Sequence, residues 1–188
     1  MPILGIMASA MSANLWQPEG AYDSLATVTL SATTATVTFS GIPSTYKHLQ
    51  LRIMGRSTRT SSTSNAMTYT FNGSATGYGY THRLYGQGSG SGAADAPLGS
   101  TYSFGPSIAT DASTSGIMGV AVMDVLDYAN TAKYKTTRIL GGHDNNGSGE
   151  IFLTSGLWQN TAAITSISLS IDSFSWTANS TFALYGVK

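Results

Sequence analysis

The chain has 188 residues, nine Lys plus Arg against nine Asp plus Glu, and no cysteine. Disulfide and thiolate chemistry are therefore excluded, and no nucleic-acid partner is expected, because phosphate neutralisation needs clustered cations and these are scattered. Charged residues supply 10% of the sequence, against about 25% in an average globular chain, and 26 Ser with 25 Thr carry the polarity instead.

Hydrophobic residues make up 41% of the chain, enough for a core of its own, but no run approaches the roughly 18 apolar residues of a membrane span. A soluble protein with no membrane partner is expected. Met1–Asn14 (MPILGIMASAMSAN) is small and apolar, and no Lys or Arg precedes Lys47, so the basic region of a secretory signal is missing and the segment reads as mature sequence. We expect residues 1–20 to form an extended arm whose Ile3, Leu4, Ile6 and Met7 bind a neighbouring subunit, since a monomer would leave them as an exposed apolar patch. Residues 21–188 read as one domain.

After the turn-rich Trp16–Asp23, alternation of apolar and polar residues begins and recurs to the end. It pairs Val37 with Phe39, aligns Leu49, Leu51 and Ile53, then Met67, Tyr69 and Phe71, and later Ile167, Leu169 and Ile171. Ile117–Leu126 (IMGVAVMDVL) is apolar on both parities and is expected to be a central strand covered on both faces. Val120, Val122 and Leu126, with Leu49, Leu51, Ile167 and Leu169, are the expected core. Breakers separate the segments, among them Asn72-Gly73, Gly105-Pro106 and Asn146-Gly147. Ser57–Asn65 and Gln87–Ala96 are low-complexity and polar, and are expected to be long surface loops. The reading is all-β: about ten short strands in an antiparallel β-sandwich, jelly-roll-like, with the arm at its N-terminus.

Candidate chemistry is sparse. His48, His82 and His143 lie far apart, outside any metal-ligand spacing, and no G-x-S-x-G or phosphate-binding glycine motif occurs. Asp124 and Asp127 are three apart, on opposite faces of a strand, and fit a turn better than an acid–base pair. Asp144–Glu150 (DNNGSGE) has oxygen ligands but not the EF-hand order; Asn146-Gly147 suits a hairpin turn, and no metal or cofactor is expected. Tyr78, Tyr80 and Tyr85, in the glycine-rich GYGYTHRLYGQG, are the candidate glycan-binding residues, because exposed rings stack on sugar faces. The competing role is ordinary strand packing.

Five stretches together resemble a family of small virion structural proteins of tailed bacteriophages: GIPSTYKHLQLRIMGRS (41–57), TFNGS (70–74), DVLDYANTAKYKTTRILGGHDNNGSG (124–149), SGLWQNTAAITSISL (155–169) and the terminal STFALYGVK. The resemblance covers nearly the whole chain and implies a non-enzymatic component of the particle, located in the virion. It brings no catalytic residues. The implied role is capsid decoration or cement, with the major capsid protein or other virion proteins as partners and a homo-oligomer, trimer favoured; the alternative is a tail or fibre component that binds a glycan receptor.

Overall fold

Period-2 alternation becomes strand throughout: a computed structural model, which describes residues 20–188 apart from Ser89 and Ser100, is all-β, with twelve strands among those residues. They are β1 (Tyr22–Thr29), β2 (Thr36–Ser40), β3 (His48–Gly55), β4 (Ser64–Phe71), β5 (His82–Gln87), β6 (Gly92–Asp95), β7 (Ser103–Ala109), β8 (Gly119–Val125), β9 (Lys135–Asp144), β10 (Gly149–Trp158), β11 (Ser166–Ile171) and β12 (Thr181–Val187). Two antiparallel sheets result, ordered β1-β12-β3-β8-β9-β10-β5-β6 and β2-β11-β4-β7. They pack as a β-sandwich. The expected arm, with Ile3, Leu4, Ile6 and Met7, lies outside the described residues.

Leu49, Leu51 and Ile53 of β3 and Met123 and Val125 of β8 point from the larger sheet toward Met67, Tyr69 and Phe71 of β4 and Ile167 and Leu169 of β11. All ten are buried, so Leu49, Leu51, Ile167 and Leu169 are core residues as expected. Trp176, fully buried, closes one end. Its indole N–H donates to the Leu169 carbonyl at 3.1 Å and its ring meets Phe182 edge-on, centroids 4.8 Å apart. The ring rests on Gly55, where a Cβ would come within 2.5 Å of it.

Val120, Val122 and Leu126 are not core residues. Val120 is 51% exposed and Val122 39%, while Ala121, Met123 and Val125 between and beyond them are buried. β8 is central in its sheet but, among the described residues, covered on one face only. Its outward side chains are apolar with no described residues layered over them, which is why both parities read as hydrophobic.

The two expected loops also differ. Gln87–Ala96 turns back on itself, and β6 pairs with β5 from Arg83↔Asp95 to Gly86↔Gly92. Backbone pairing meets the polar groups that this segment's side chains cannot. In Ser57–Asn65 both ends are buried, with Asn65 Nδ2 donating to Ser57 Oγ at 3.0 Å and Ser57 bridging to Thr110 and Trp176.

Candidate functional site

The outward faces of the two sheets have opposite chemistry. On the four-stranded sheet Thr38, Ser168 and Thr70 stand in register, as do Thr36, Ser170 and Thr68. Hydroxyl pairs link them, Thr38–Ser168 and Thr36–Ser170 each at 2.9 Å. Thr36 and Thr38 are exposed and Thr70, Ser168 and Ser170 partly so, while Thr68 is buried.

The eight-stranded sheet presents apolar side chains outward. One cross-strand row runs Val122–Leu140–Leu153–Leu84 over β8, β9, β10 and β5. The next runs Met54–Val120–Gly142–Ile151 over β3, β8, β9 and β10. Leu140 is 56% exposed, Ile151 62% and Leu84 60%. Met54, Val120, Val122 and Leu153 are exposed beside them, and a contiguous apolar patch of this kind marks an interaction surface. The surface is concave. One trough, ≈ 640 Å³, lies among Ile117, Met118, Val120, Leu140 and Ile151. A second, ≈ 550 Å³, lies among Leu84, Ala94, Leu126, Arg138 and Leu153. A polar row, Gln50–Asp124–Arg138–Ser155, borders the face, and Gln50 Nε2 donates to Asp124 at 2.9 Å.

The three tyrosines do not form one platform. Tyr78 is 5% exposed, with its ring stacked near Trp158. Its hydroxyl accepts from the Phe71 N–H at 2.8 Å and donates to the Ser74 carbonyl at 3.2 Å. Burial of the ring corrects the expectation that it faces a ligand. Tyr85 is half-buried and stacks on Phe152, centroids 5.2 Å apart; Tyr80 alone is well exposed.

Nor do the aspartates converge. Asp124 faces outward, whereas Asp127 lies past the strand in a left-handed turn, φ 48°. The Asp127 N–H donates to His48 Nδ1 at 3.0 Å. Its carboxylate accepts from Lys133 Nζ at 2.5 Å, and that hydrogen bond holds its pKa below the usual carboxylate range. Asp127 thus serves the turn through an ion pair and does not contact the backbone with its carboxylate. Asn130 makes the turn's side-chain-to-backbone bond instead, accepting from the Ala132 N–H at 2.7 Å. Lys135, fully buried, donates to the carbonyls of Asn130, Lys133 and Thr161 at 2.5, 2.9 and 3.1 Å. Burial pushes its pKa down. It ties the turn to β9 and the β10–β11 connection.

Asn146-Gly147 forms the two-residue hairpin turn, φ 56° and 107°, with Gly149 paired to Asp144. Asp144 Oδ1 accepts from the Asn146 N–H at 2.7 Å, while Glu150 turns away to accept from Ser64 Oγ at 2.5 Å and Gln87 Nε2 at 3.2 Å. The two carboxylates are thus committed to different protein donors. EDTA, and then millimolar Ca²⁺, are expected to leave the melting temperature unchanged. A rise of several degrees with Ca²⁺, abolished by Asp144→Ala, would assign the loop to metal.

His143 is 8% exposed on the inner face of β9, and its Nδ1 has no hydrogen-bond partner. Burial pushes its pKa below 6.5, against the smaller opposing pull of Glu150. A depressed histidine binds fewer protons folded than unfolded, so its contribution to stability is full above about pH 6.5 and is lost as pH falls through the depressed folded value. Melting temperatures measured downward from pH 7 are expected to fall more steeply for wild type than for His143→Gln. Parallel curves would remove this histidine as the cause.

No protein-family model, curated protein or solved structure matches the chain.

Proposed function

We propose that the protein is a non-enzymatic structural component of a tailed-bacteriophage particle, working as a capsid decoration or cement protein that stabilises the shell through subunit contacts. The observation that carries this reading is the outward apolar face of the eight-stranded sheet. Keeping such a face in water is unfavourable by roughly 25 cal/mol per Å², and burying it against a neighbour removes that cost. Contacts built from aliphatic side chains are also little affected by ionic screening, which suits a particle that meets varied salt. The sequence resemblance supports the virion as the location and the major capsid protein, other virion proteins and further copies of this chain as partners, a trimer being favoured.

We read the sandwich as a jelly roll. Supporting this, β2-β11-β4-β7 lies over the larger sheet with β7 against β9 and β10, and the chain crosses between sheets at each step from β1 to β5, from β6 through β7 to β8, and from β10 through β11 to β12. β5 and β6 extend the larger sheet at one edge. Most of the apolar face lies on β8, β9, β10 and β5. The N-terminal arm completes the proposed architecture.

Quantitative mass spectrometry of purified particles tests the function. Copies in the hundreds are expected for a decoration protein. A few copies would place the protein in the tail or fibre, where exposed Tyr80 is the starting point for a glycan contact, and absence from the particle would overturn the structural role.

A further inference from the structure

We propose that the outward apolar face of the eight-stranded sheet pairs with the same face of a second copy of this chain, about a two-fold axis crossing β9 between Leu140 and Gly142. The proposal rests on the reading of that face as an assembly surface and names what covers it. An axis lying across the strands, in the plane of contact, sets each strand antiparallel over its own counterpart and exchanges the rows on its two sides. The face complements itself under that exchange. On β9 Leu140 comes over the second copy's Gly142, on β8 Val122 over Val120, and on β10 Leu153 over Ile151. Gly142 stands without a side chain between Val120 and Ile151, and a Cβ there would run into the Glu150 carbonyl. It leaves a gap in the hollow of ≈ 640 Å³ among Met118, Val120, Leu140 and Ile151. A leucine from the facing sheet fills that gap, and the symmetry makes the contact twice. The hollow of ≈ 550 Å³ among Leu84, Leu126, Arg138 and Leu153 is separate, on the other side of the axis. The second copy's Ile151 comes over its Leu153 wall.

Charge follows the same axis. Arg138 is exposed and makes no ion pair or hydrogen bond among the described residues. Asp124, in register with it on β8, accepts from Gln50 at 2.9 Å instead. Asp144, at the other end of β9, is also exposed, and its carboxylate accepts from the Asn146 N–H at 2.7 Å. Arg138 and Asp144 each lie three residues, about 10 Å, from the axis. The two-fold therefore sets each copy's cation against the other's anion. Knob matched to gap and cation to anion, at equal distances from one point, is what an isologous contact requires; an unrelated partner needs neither. Sheets packed face to face cross at about 30°, so the match holds over the central β8, β9 and β10 and diverges toward β3 and β5. Such a contact closes at two copies, and a trimer would form through other surfaces.

A charge exchange tests this pairing. Arg138→Glu sets two carboxylates together at each end of the contact, and Asp144→Arg sets two guanidiniums. Sedimentation in about 50 mM salt, where screening is weak, is expected to show wild type as a pair of copies and each variant alone associating about tenfold or more weakly. An equimolar mixture of the two variants carries opposite charges at both ends, and association should return to near wild-type strength. Asp144→Asn keeps the acceptor for the Asn146 N–H and should weaken pairing less than Asp144→Arg, which gives a reading even if the arginine disturbs the turn. Wild type that is a monomer or an odd-numbered assembly overturns the proposal. So do charge variants that associate like wild type, and a mixture that associates no better than either variant alone. None of these results bears on whether the protein resides in the particle, which the copy-number measurement decides separately.

Discussion

Leu51→Asp is expected to prevent folding, while Val122→Asp, nearly opposite it on the adjacent strand, folds and melts close to wild type. Leu51 is fully buried between the sheets and pairs with Met123, itself fully buried. A carboxylate there has no cation or donor in reach, and burying an unpaired charge costs about 4 kcal/mol or more, a large share of a domain's total stability. Val122 points the other way, 39% exposed and in register with Arg52. Its replacement by Asp leaves the charge in water. Association should suffer instead, since Val122 belongs to the apolar row. Circular dichroism melts of the two variants decide the matter, and a Val122→Asp protein that fails to fold would mean that a second layer covers β8.

Trp176→Ala carries the second large effect. The side chain is fully buried, touches Phe182 and Gly55, and spends its only donor on the Leu169 carbonyl. Truncation opens a cavity of indole size and removes the indole hydrogen bond, for an expected loss of about 3–5 kcal/mol. For a domain of this size each kcal/mol lowers the midpoint by roughly 2–4 °C, so a fall of about 10 °C or more is expected in a calorimetric scan. Trp176→Phe, which keeps most of the volume, should recover part of it. A Trp176→Ala midpoint within a degree or two of wild type would show that this end of the sandwich is not closed by the indole.

Strand positions and the inward parity of β3, β4 and β11 were legible because each alternates cleanly between apolar and polar residues. β8 was misread for an identifiable reason. Val120 and Val122 share their parity with Asp124, and Leu140 shares its own with Arg138 and Thr136. Those polar neighbours mark the solvent side, and weighing them would have placed the valines outside. Lys135 shares parity with Thr137 and Ile139, both buried; a lysine on a core parity signals an ammonium capped by carbonyls, although its partners Asn130 and Thr161 depend on chain reversals that no local pattern reveals. Tyr78 shows the same limit. Glycines on either side suggested an exposed ring, but the deciding contact is Trp158, eighty residues on. Gln87–Ala96 lacks large apolar side chains altogether, so its pairing with β5 rests on backbone hydrogen bonds that residue type does not encode. Strand order, and with it the continuous apolar face over β8, β9, β10 and β5, is a long-range property invisible to any single segment.

Analytical ultracentrifugation of wild type beside Leu140→Glu/Leu153→Glu tests most directly whether this face drives assembly. Both leucines are exposed and directly paired across β9 and β10, so two adjacent carboxylates there should spare the core and disrupt the contact. Wild type is expected to sediment as a multimer and the double variant as a folded monomer with an unchanged melting temperature. Equal masses for the two proteins would contradict the assignment of this face to assembly.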